Sequence, residues 1–243
     1  MTLGIVIPVY RAGEKLRDVI GDLHEFARAS GVRCRAVLVD DCGGDEALVR
    51  EICTRQSGVT GVFLQENVGQ QMATYLGLAH VSDCAFVATM DDDGQHPVKL
   101  LGEMLLRLRA GADLCYAVPS RAGLPPIRRV GAAMRDALFT LSTSKPRGVR
   151  IGAYRMMTAA LVKRIRPEPD GYIYLSAAAF KHKPRAECIF YPARQSQTTS
   201  YTLGKLFRLY VGLFVHGTPL RVFCRKKRGE VSRMSVLPGK GYL

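Results

Sequence analysis

The 243-residue sequence predicts an α/β fold in which helices flank a mostly parallel central sheet. Three observations carry that expectation. Short apolar runs rich in Val, Ile and Leu alternate along the chain with segments whose apolar residues recur at helical spacing. The runs are apolar at nearly every position, as in strands buried on both faces, and such strands separated by helices form parallel sheets covered on both sides. Polar residues collect just after the runs, at Pro8-Val9-Tyr10, Asp40-Asp41 and Asp91-Asp92-Asp93. Open sheets of this kind bind ligands beyond the carboxyl ends of their strands.

Residues 3–10 give the first strand. Residues 14–29 follow as a helix with Leu16, Val19, Ile20, Leu23, Phe26 and Ala27 on one face. Strands at 36–40, 61–64, 84–90 and 113–118 then alternate with helices at 45–56, 69–80 and 98–109. Past residue 120 the rhythm changes. Residues 121–144 form a basic amphipathic segment, 151–157 another strand, and two more elements fall at about 171–180 and 186–191. In 203–215 the apolar residues Leu203, Leu206, Phe207, Tyr210, Leu213 and Phe214 share one face, with Lys205 and Arg208 on another. A helix with this pattern either lies in a membrane interface or caps a core, and the run Arg225-Lys226-Lys227-Arg228 favours anionic lipid. The chain thus divides into a main domain, 1–200, and a basic helix and tail, 201–243.

At 47% apolar the chain can bury a substantial core. Its net charge is +14, and the residues from 201 on hold nine Lys or Arg against one Glu, which places +8 of that charge in the last 43 residues. Such asymmetry points to an anionic partner. No aromatic and basic stacking motif accompanies the charge, so nucleic acid is not the expected partner. Seven cysteines without a C-x-x-C pair suggest free thiols in a reducing compartment. The first residues run straight into a strand pattern, so no secretory signal is expected. No stretch reaches the roughly 18 apolar residues of a spanning helix. The expected location is cytoplasmic, peripheral on the cytoplasmic face of the membrane.

The densest chemistry is MDDDGQHP at 90–97. On an extended strand end Asp91 and Asp93 share one side and Asp92 the other. Two carboxylates that close repel unless a cation sits between them. Oxygen ligands suit Mg²⁺ or Mn²⁺, which bind one or two carboxylates plus substrate phosphates. The plainer alternative makes Asp93 or Gln95 the N-cap of a helix beginning near Pro97. Neither G-x-G-x-x-G nor G-x-x-x-x-G-K-[ST] occurs, which removes dinucleotide and P-loop readings. Asp40-Asp41, before Cys42-Gly43-Gly44-Asp45, offers acceptors to a base or a ribose, or simply a turn and a helix cap.

The segments IVIPVY (5–10), LVDDCGGD (38–45), NVGQQMATYLGL (67–78) and above all MDDDGQHP resemble the inverting glycosyltransferase family 2, of GT-A fold. The likeness is strongest to its dolichol-phosphate mannosyltransferase and polyprenyl-phosphate (undecaprenyl-phosphate) glycosyltransferase branch. It extends through GAYRMMTAALVKRI (152–165) and PARQSQTTSYTLGKLFRL (192–209). The resemblance implies a nucleotide-sugar donor of UDP or GDP type, bound by Pro8, Tyr10, Asp40, Asp41, Gln70 or its neighbour Gln71, and Asp92. It implies a Mg²⁺ or Mn²⁺ ion held by Asp91, Asp93 and Gln95. It also implies an acceptor phosphate held by Arg121, Arg128, Arg129, Thr199 and Tyr201, with Arg194 at the reacting phosphates. Arg11 stands where Asn is common in the family, Cys42-Gly43 replaces Gly-Ser, Gly94 replaces a large apolar residue and Gln197 replaces a Gly.

An alcohol acceptor needs a general base, for which Glu168 and Asp170 are the nearby candidates, Asp170 first. A phosphate monoester needs none, because it is already largely a dianion at neutral pH. It needs cations, and Arg121, Arg128, Arg129, Arg155 and Arg194 supply planar ones. The expected function is therefore transfer of a sugar to a polyprenyl phosphate. The alternatives are a soluble enzyme acting on a saccharide hydroxyl in cell-surface polysaccharide synthesis, or a non-catalytic relative.

Overall fold

In the computed structural model, residues 1–120, 140, 143, 145–166, 173–192 and 234–243 are described. They form, in chain order, β1 (Thr2–Val9), α1 (Lys15–Ser30), β2 (Arg33–Asp40), α2 (Glu46–Arg55), β3 (Val59–Leu64) and α3 (Gln70–Gly77). A 3-10 turn (Leu78–Val81) leads on to β4 (Phe86–Thr89), α4 (Leu100–Arg109), β5 (Leu114–Pro119), β6 (Arg155–Thr158), α5 (Ala159–Ile165), α6 (Leu175–Lys181), β7 (Ala186–Tyr191) and β8 (Met234–Leu237).

One sheet of order β7-β5-β6-β4-β1-β2-β3-β8 takes up all eight strands. Its centre, β4-β1-β2-β3, is parallel, as the doubly buried runs require. β6 enters antiparallel between β4 and β5, and β8 lies antiparallel along β3.

Side chains alternate strictly between two cores. Ile5, Ile7 and Val9 of β1 join Leu16, Ile20, Leu23, Val49, Leu101 and Met104 from α1, α2 and α4 on one face. Val6 joins Val37, Val39, Ala73, Leu161 and Phe180 on the other, under α3, α5 and α6. The α3 side packs close because two glycines allow it. A Cβ on Gly77 would lie 2.5 Å from Val6 Cγ1, and one on Gly4 2.5 Å from Val81 Cβ. This approach sets α3, and Gln70 at its start, against the carboxyl end of β1.

The strand and helix expectations hold from residue 2 to 119, with two shifts that matter for the site. β4 ends at Thr89, so the aspartates belong to a loop and not to a strand end. The last β1–β4 pair is Val6–Thr89, and Met90 N–H still donates to Val6 O at 3.2 Å before the chain turns away. α4 starts at Leu100, three residues after Pro97, without a side-chain cap, so neither Asp93 nor Gln95 caps it. Two elements were not anticipated, α5 and β8. The latter belongs to the basic tail, whose end is stitched to the sheet by Gly58 N–H on Lys240 O (2.8 Å) and Leu243 N–H on Cys34 O (2.9 Å).

The amphipathic segment 203–215, the run 225–228 and the boundary at 200 lie outside the described residues. Among the described residues no helix is long and apolar enough to cross a membrane. The six described cysteines are free thiols.

Candidate active site

In the parallel part of the sheet the strand order reverses at β1, between β4 on one side and β2 on the other, and a crevice opens there because β4 stops before β1 does. Pro8 sits on β1 beyond its last pair with β4, where a missing N–H costs no ladder bond on that side. The next residue but one, Tyr10, is 45% exposed at the crevice mouth. Its N–H donates to Asp92 Oδ2 at 2.9 Å and ties the β1 end to the aspartate loop.

On the β2 side Asp40 and Asp41 are both buried. Asp41 is a structural clamp: Oδ1 accepts from Val68 N–H at 2.7 Å, Oδ2 from Gly69 N–H at 2.9 Å, and its carbonyl accepts from Asn67 Nδ2 at 3.2 Å. These bonds hold the turn at Gly69 (φ 85°) from which α3 departs. Asp40 accepts only a long bond from Gly43 N–H, 3.4 Å. Burial pushes its carboxyl above the ordinary range, and the charges of Asp45, Glu46 and Asp41 add to that shift.

The aspartate loop is held at four points. Gln70 Nε2 donates to Asp91 Oδ1 from the first turn of α3. Asp91 N–H donates to His96 Nδ1 at 2.9 Å, and His96 Nε2 lies 3.6 Å from Asp91 Oδ2. Asp93 Oδ1 closes a tight turn on Gln95 N–H at 3.0 Å, over Gly94 at φ 72°. Asp92 takes Tyr10. His96 stacks on Tyr154, ring centroids 4.8 Å apart, and Tyr154 O–H donates to Pro97 O at 3.0 Å. Burial pulls His96 down to about 4, which fits an imidazole that accepts at Nδ1. His96 and Tyr154 buttress the loop, 58 positions apart in sequence, and nothing in the sequence pairs them.

Asp91 and Asp92 are short of positive charge. Burial, reinforced by the charge of Asp93, pushes Asp91 up to about 6, and burial pushes Asp92 to about 6 as well. Among the described residues no group of three or more His, Cys, Asp or Glu stands as a ready metal cage. The residue types are nonetheless those that Mg²⁺ and Mn²⁺ accept: three consecutive carboxylates with no Lys or Arg paired to them among the described residues, where one or two carboxylates suffice beside substrate phosphates. The Gln95 side chain is exposed beside them.

Arg155 does not act as a surface cation. It is 3% exposed, and its guanidinium donates to Thr89 Oγ1 (3.2 Å), Ala153 O (3.3 Å) and Ser176 Oγ (2.8 Å) while lying 5.8 Å from the Tyr116 ring centroid. Arg121, Arg128, Arg129, Asp170, Arg194, Thr199 and Tyr201 lie outside the described residues. The described crevice therefore joins Pro8, Tyr10, Asp40, Asp41, Gln70, Asp91, Asp92, Asp93 and Gln95.

A mixed sheet of this order, parallel at its centre, with an aspartate loop at its reversal point has the architecture of the GT-A class. Residues 4–166 match the model of glycosyl transferase family 2, and the chain belongs to that family: it is a glycosyltransferase. Undecaprenyl-phosphate 4-deoxy-4-formamido-L-arabinose transferase of Salmonella paratyphi B is 24% identical over 228 residues, 90% of this chain and 69% of that enzyme. Among solved structures, mannosyl-3-phosphoglycerate synthase from Rubrobacter xylanophilus superposes with a TM-score of 0.62 at 14% identity, covering 98% of this chain and 79% of that one. Glucosyl-3-phosphoglycerate synthase from Mycobacterium tuberculosis, in complex with Mn²⁺, UDP and phosphoglyceric acid, gives 0.60 at 16% identity over 89% and 78%. Staphylococcus aureus TarS with UDP-GlcNAc gives 0.55 at 13% over 88% and 67%. These likenesses share the fold of GT-A glycosyltransferases.

Proposed function

We infer that the protein moves a sugar, with inversion, from a nucleoside diphosphate sugar to a polyprenyl phosphate, in a reaction that depends on Mg²⁺ or Mn²⁺. The observation that carries the reading is the loop Asp91–Asp93 at the sheet's reversal point, three carboxylates with which no described Lys or Arg forms an ion pair. In this reading Pro8, Tyr10, Asp40 and Asp41 frame the nucleoside, with Gln70 and Asp92 holding the loop against it. Asp91, Asp93 and Gln95 hold the metal, which when bound offsets the charge of the leaving nucleoside diphosphate. The donor of UDP type is favoured by the two solved relatives that carry UDP or a UDP-sugar.

The acceptor is proposed from the relatives named for undecaprenyl phosphate and from its chemistry. A phosphate dianion attacks the sugar from the face opposite the leaving group without help from a base. Arg121, Arg128, Arg129 and Arg194, with Thr199 and Tyr201, are proposed to hold the phosphates in play. The basic segments at 203–215 and 225–228 are proposed to dock the enzyme on an anionic membrane surface, where the lipid resides.

The test is transfer by purified protein with Mn²⁺ or Mg²⁺, a panel of nucleotide sugars and a short polyprenyl phosphate, beside Asp93→Ala. Metal-dependent glycolipid formation that disappears in Asp93→Ala is the expected result. Donor binding without transfer to the lipid phosphate overturns the acceptor and makes Asp170 the base to test against saccharide hydroxyls. Absence of nucleotide binding overturns the reading as a whole.

A further inference from the structure

Arg11 follows Tyr10 at the crevice mouth with φ at 57°, a backbone state that long side chains seldom adopt. The surroundings enforce it. Asp45 accepts from Ala12 N–H and Gly13 N–H, each at 3.2 Å, and so fixes the turn that follows. Gly43 lies so close behind that a Cβ there would fall 2.8 Å from Arg11 N and 2.9 Å from Tyr10 Cδ2. A strained residue that its neighbours over-determine is a mark of function.

What the turn presents is a cation. The Arg11 guanidinium lies over the Tyr10 ring, 5.2 Å from its centroid, and among the described residues it makes no ion pair. Both side chains are exposed, and a contact of this kind on an open surface holds a guanidinium only loosely. The acids tied to this turn are Asp45, which holds the Ala12 and Gly13 N–H groups, and Asp92, which holds Tyr10 N–H and is followed by Asp93 and preceded by Asp91. Such a mouth repels an anionic ligand, and the one described arginine beneath it, Arg155, is buried with its donors engaged.

The geometry points to Arg11 as a binding residue for the diphosphate of the donor, an inference that rests on the nucleotide-sugar reading above. Its planar fork matches phosphate oxygens. The fixed backbone keeps the charge beside the Tyr10 end of β1, while the loose ring contact leaves the guanidinium able to turn to a ligand. A cation here supplies positive charge at a site whose other charged side chains, among the described residues named for it, are acids, so that donor affinity does not depend on a metal alone.

Calorimetric titration of the full chain with uridine, UMP and UDP, and with the guanosine series, tests the assignment in wild type, Arg11→Lys and Arg11→Asn. Asn accepts the left-handed backbone readily, so Arg11→Asn is expected to melt at or above the wild-type temperature. Its affinity for the nucleoside diphosphate is expected to fall about tenfold or more, with the nucleoside little affected and Arg11→Lys recovering part of the loss. Unchanged diphosphate affinity in Arg11→Asn overturns the inference. Equal losses for nucleoside and diphosphate also overturn it, since Arg11 then only covers the base on Tyr10. If the wild type binds no nucleoside diphosphate, the reading beneath it falls as well.

Discussion

Tyr10 N–H donates to Asp92 Oδ2 at 2.9 Å and joins the ends of β1 and β4 where the strand order reverses. The bond replaces ladder contacts that stopped at Val6–Thr89, and it fixes the aromatic ring and the carboxylate loop in one frame. Asp92 carries this role while burial works against its charge.

Replacing Asp92 separates the two effects. Asp92→Ala removes the acceptor and is expected to cost about 1 kcal/mol, a fall in melting temperature of about 2–4 °C for a chain of this size. Asp92→Asn keeps an acceptor for Tyr10 without the buried charge, and is expected to melt near the wild type. Nucleotide titration should show the larger loss in Asp92→Ala. Equal affinities in Asp92→Ala and wild type would show that the bond does not position Tyr10.

Arg155 gives a stability prediction. Its guanidinium spans Thr89 at the end of β4 and Ser176 on α6, and Ser176 Oγ also bonds Tyr116 O–H at 2.8 Å. Arg155→Met fills much of the volume but removes the donor to Thr89 Oγ1 and one of two donors at Ala153 O and at Ser176 Oγ, which keep Thr89 O–H and Tyr116 O–H. A loss of about 2–3 kcal/mol in denaturant titration is expected. A midpoint within error of the wild type would mean that the buried cation adds nothing to the fold.

Asp40 gives a pH dependence. Its folded carboxyl titrates above its unfolded value because it is buried, so the folded state binds the proton more tightly. The charged form therefore costs stability that is absent below about pH 4, the ordinary range, and appears as pH rises through the folded value. Asp40→Asn is expected to melt higher than wild type at neutral pH, with the gap closing on acidification. Melting curves from pH 4 to 8 check this, and a gap independent of pH would remove the titration argument. The same variant is expected to bind nucleotide less well, since the buried acid is kept for the ligand.

How much of this was legible follows from what sequence patterns encode. Periodicity gave the strands and helices through Pro119, because each buries a regular face, and the aspartates were found because acids seldom follow buried runs. The clamp by Asp41, the Tyr154–His96 stack and the burial of Arg155 are long-range pairings that no local pattern carries. Arg155 reads as one more basic residue until β6 is seen to enter the sheet antiparallel, between β4 and β5, and turn it inward. β8 was missed because four residues beside a glycine and a proline carry too short a pattern; its pairing with β3 supplies what its own sequence does not.

Two glycines separate folding from binding. A Cβ on Gly77 meets Val6 Cγ1 at 2.5 Å and Val39 Cγ2 at 2.8 Å, both inside the core beneath α3. Gly77→Ala is expected to cost about 1–3 kcal/mol and to lift Gln70 away from Asp91. A Cβ on Gly43 meets the Arg11 backbone and the Tyr10 ring at the surface, where no core has to move. Gly43→Ala is therefore expected to keep most of its melting temperature and lose nucleotide affinity, because the displaced turn carries both residues. Denaturant titration beside nucleotide titration distinguishes the pair. If Gly43→Ala binds as the wild type does, neither Tyr10 nor Arg11 is set by that contact; if it unfolds like Gly77→Ala, the crevice mouth belongs to the core.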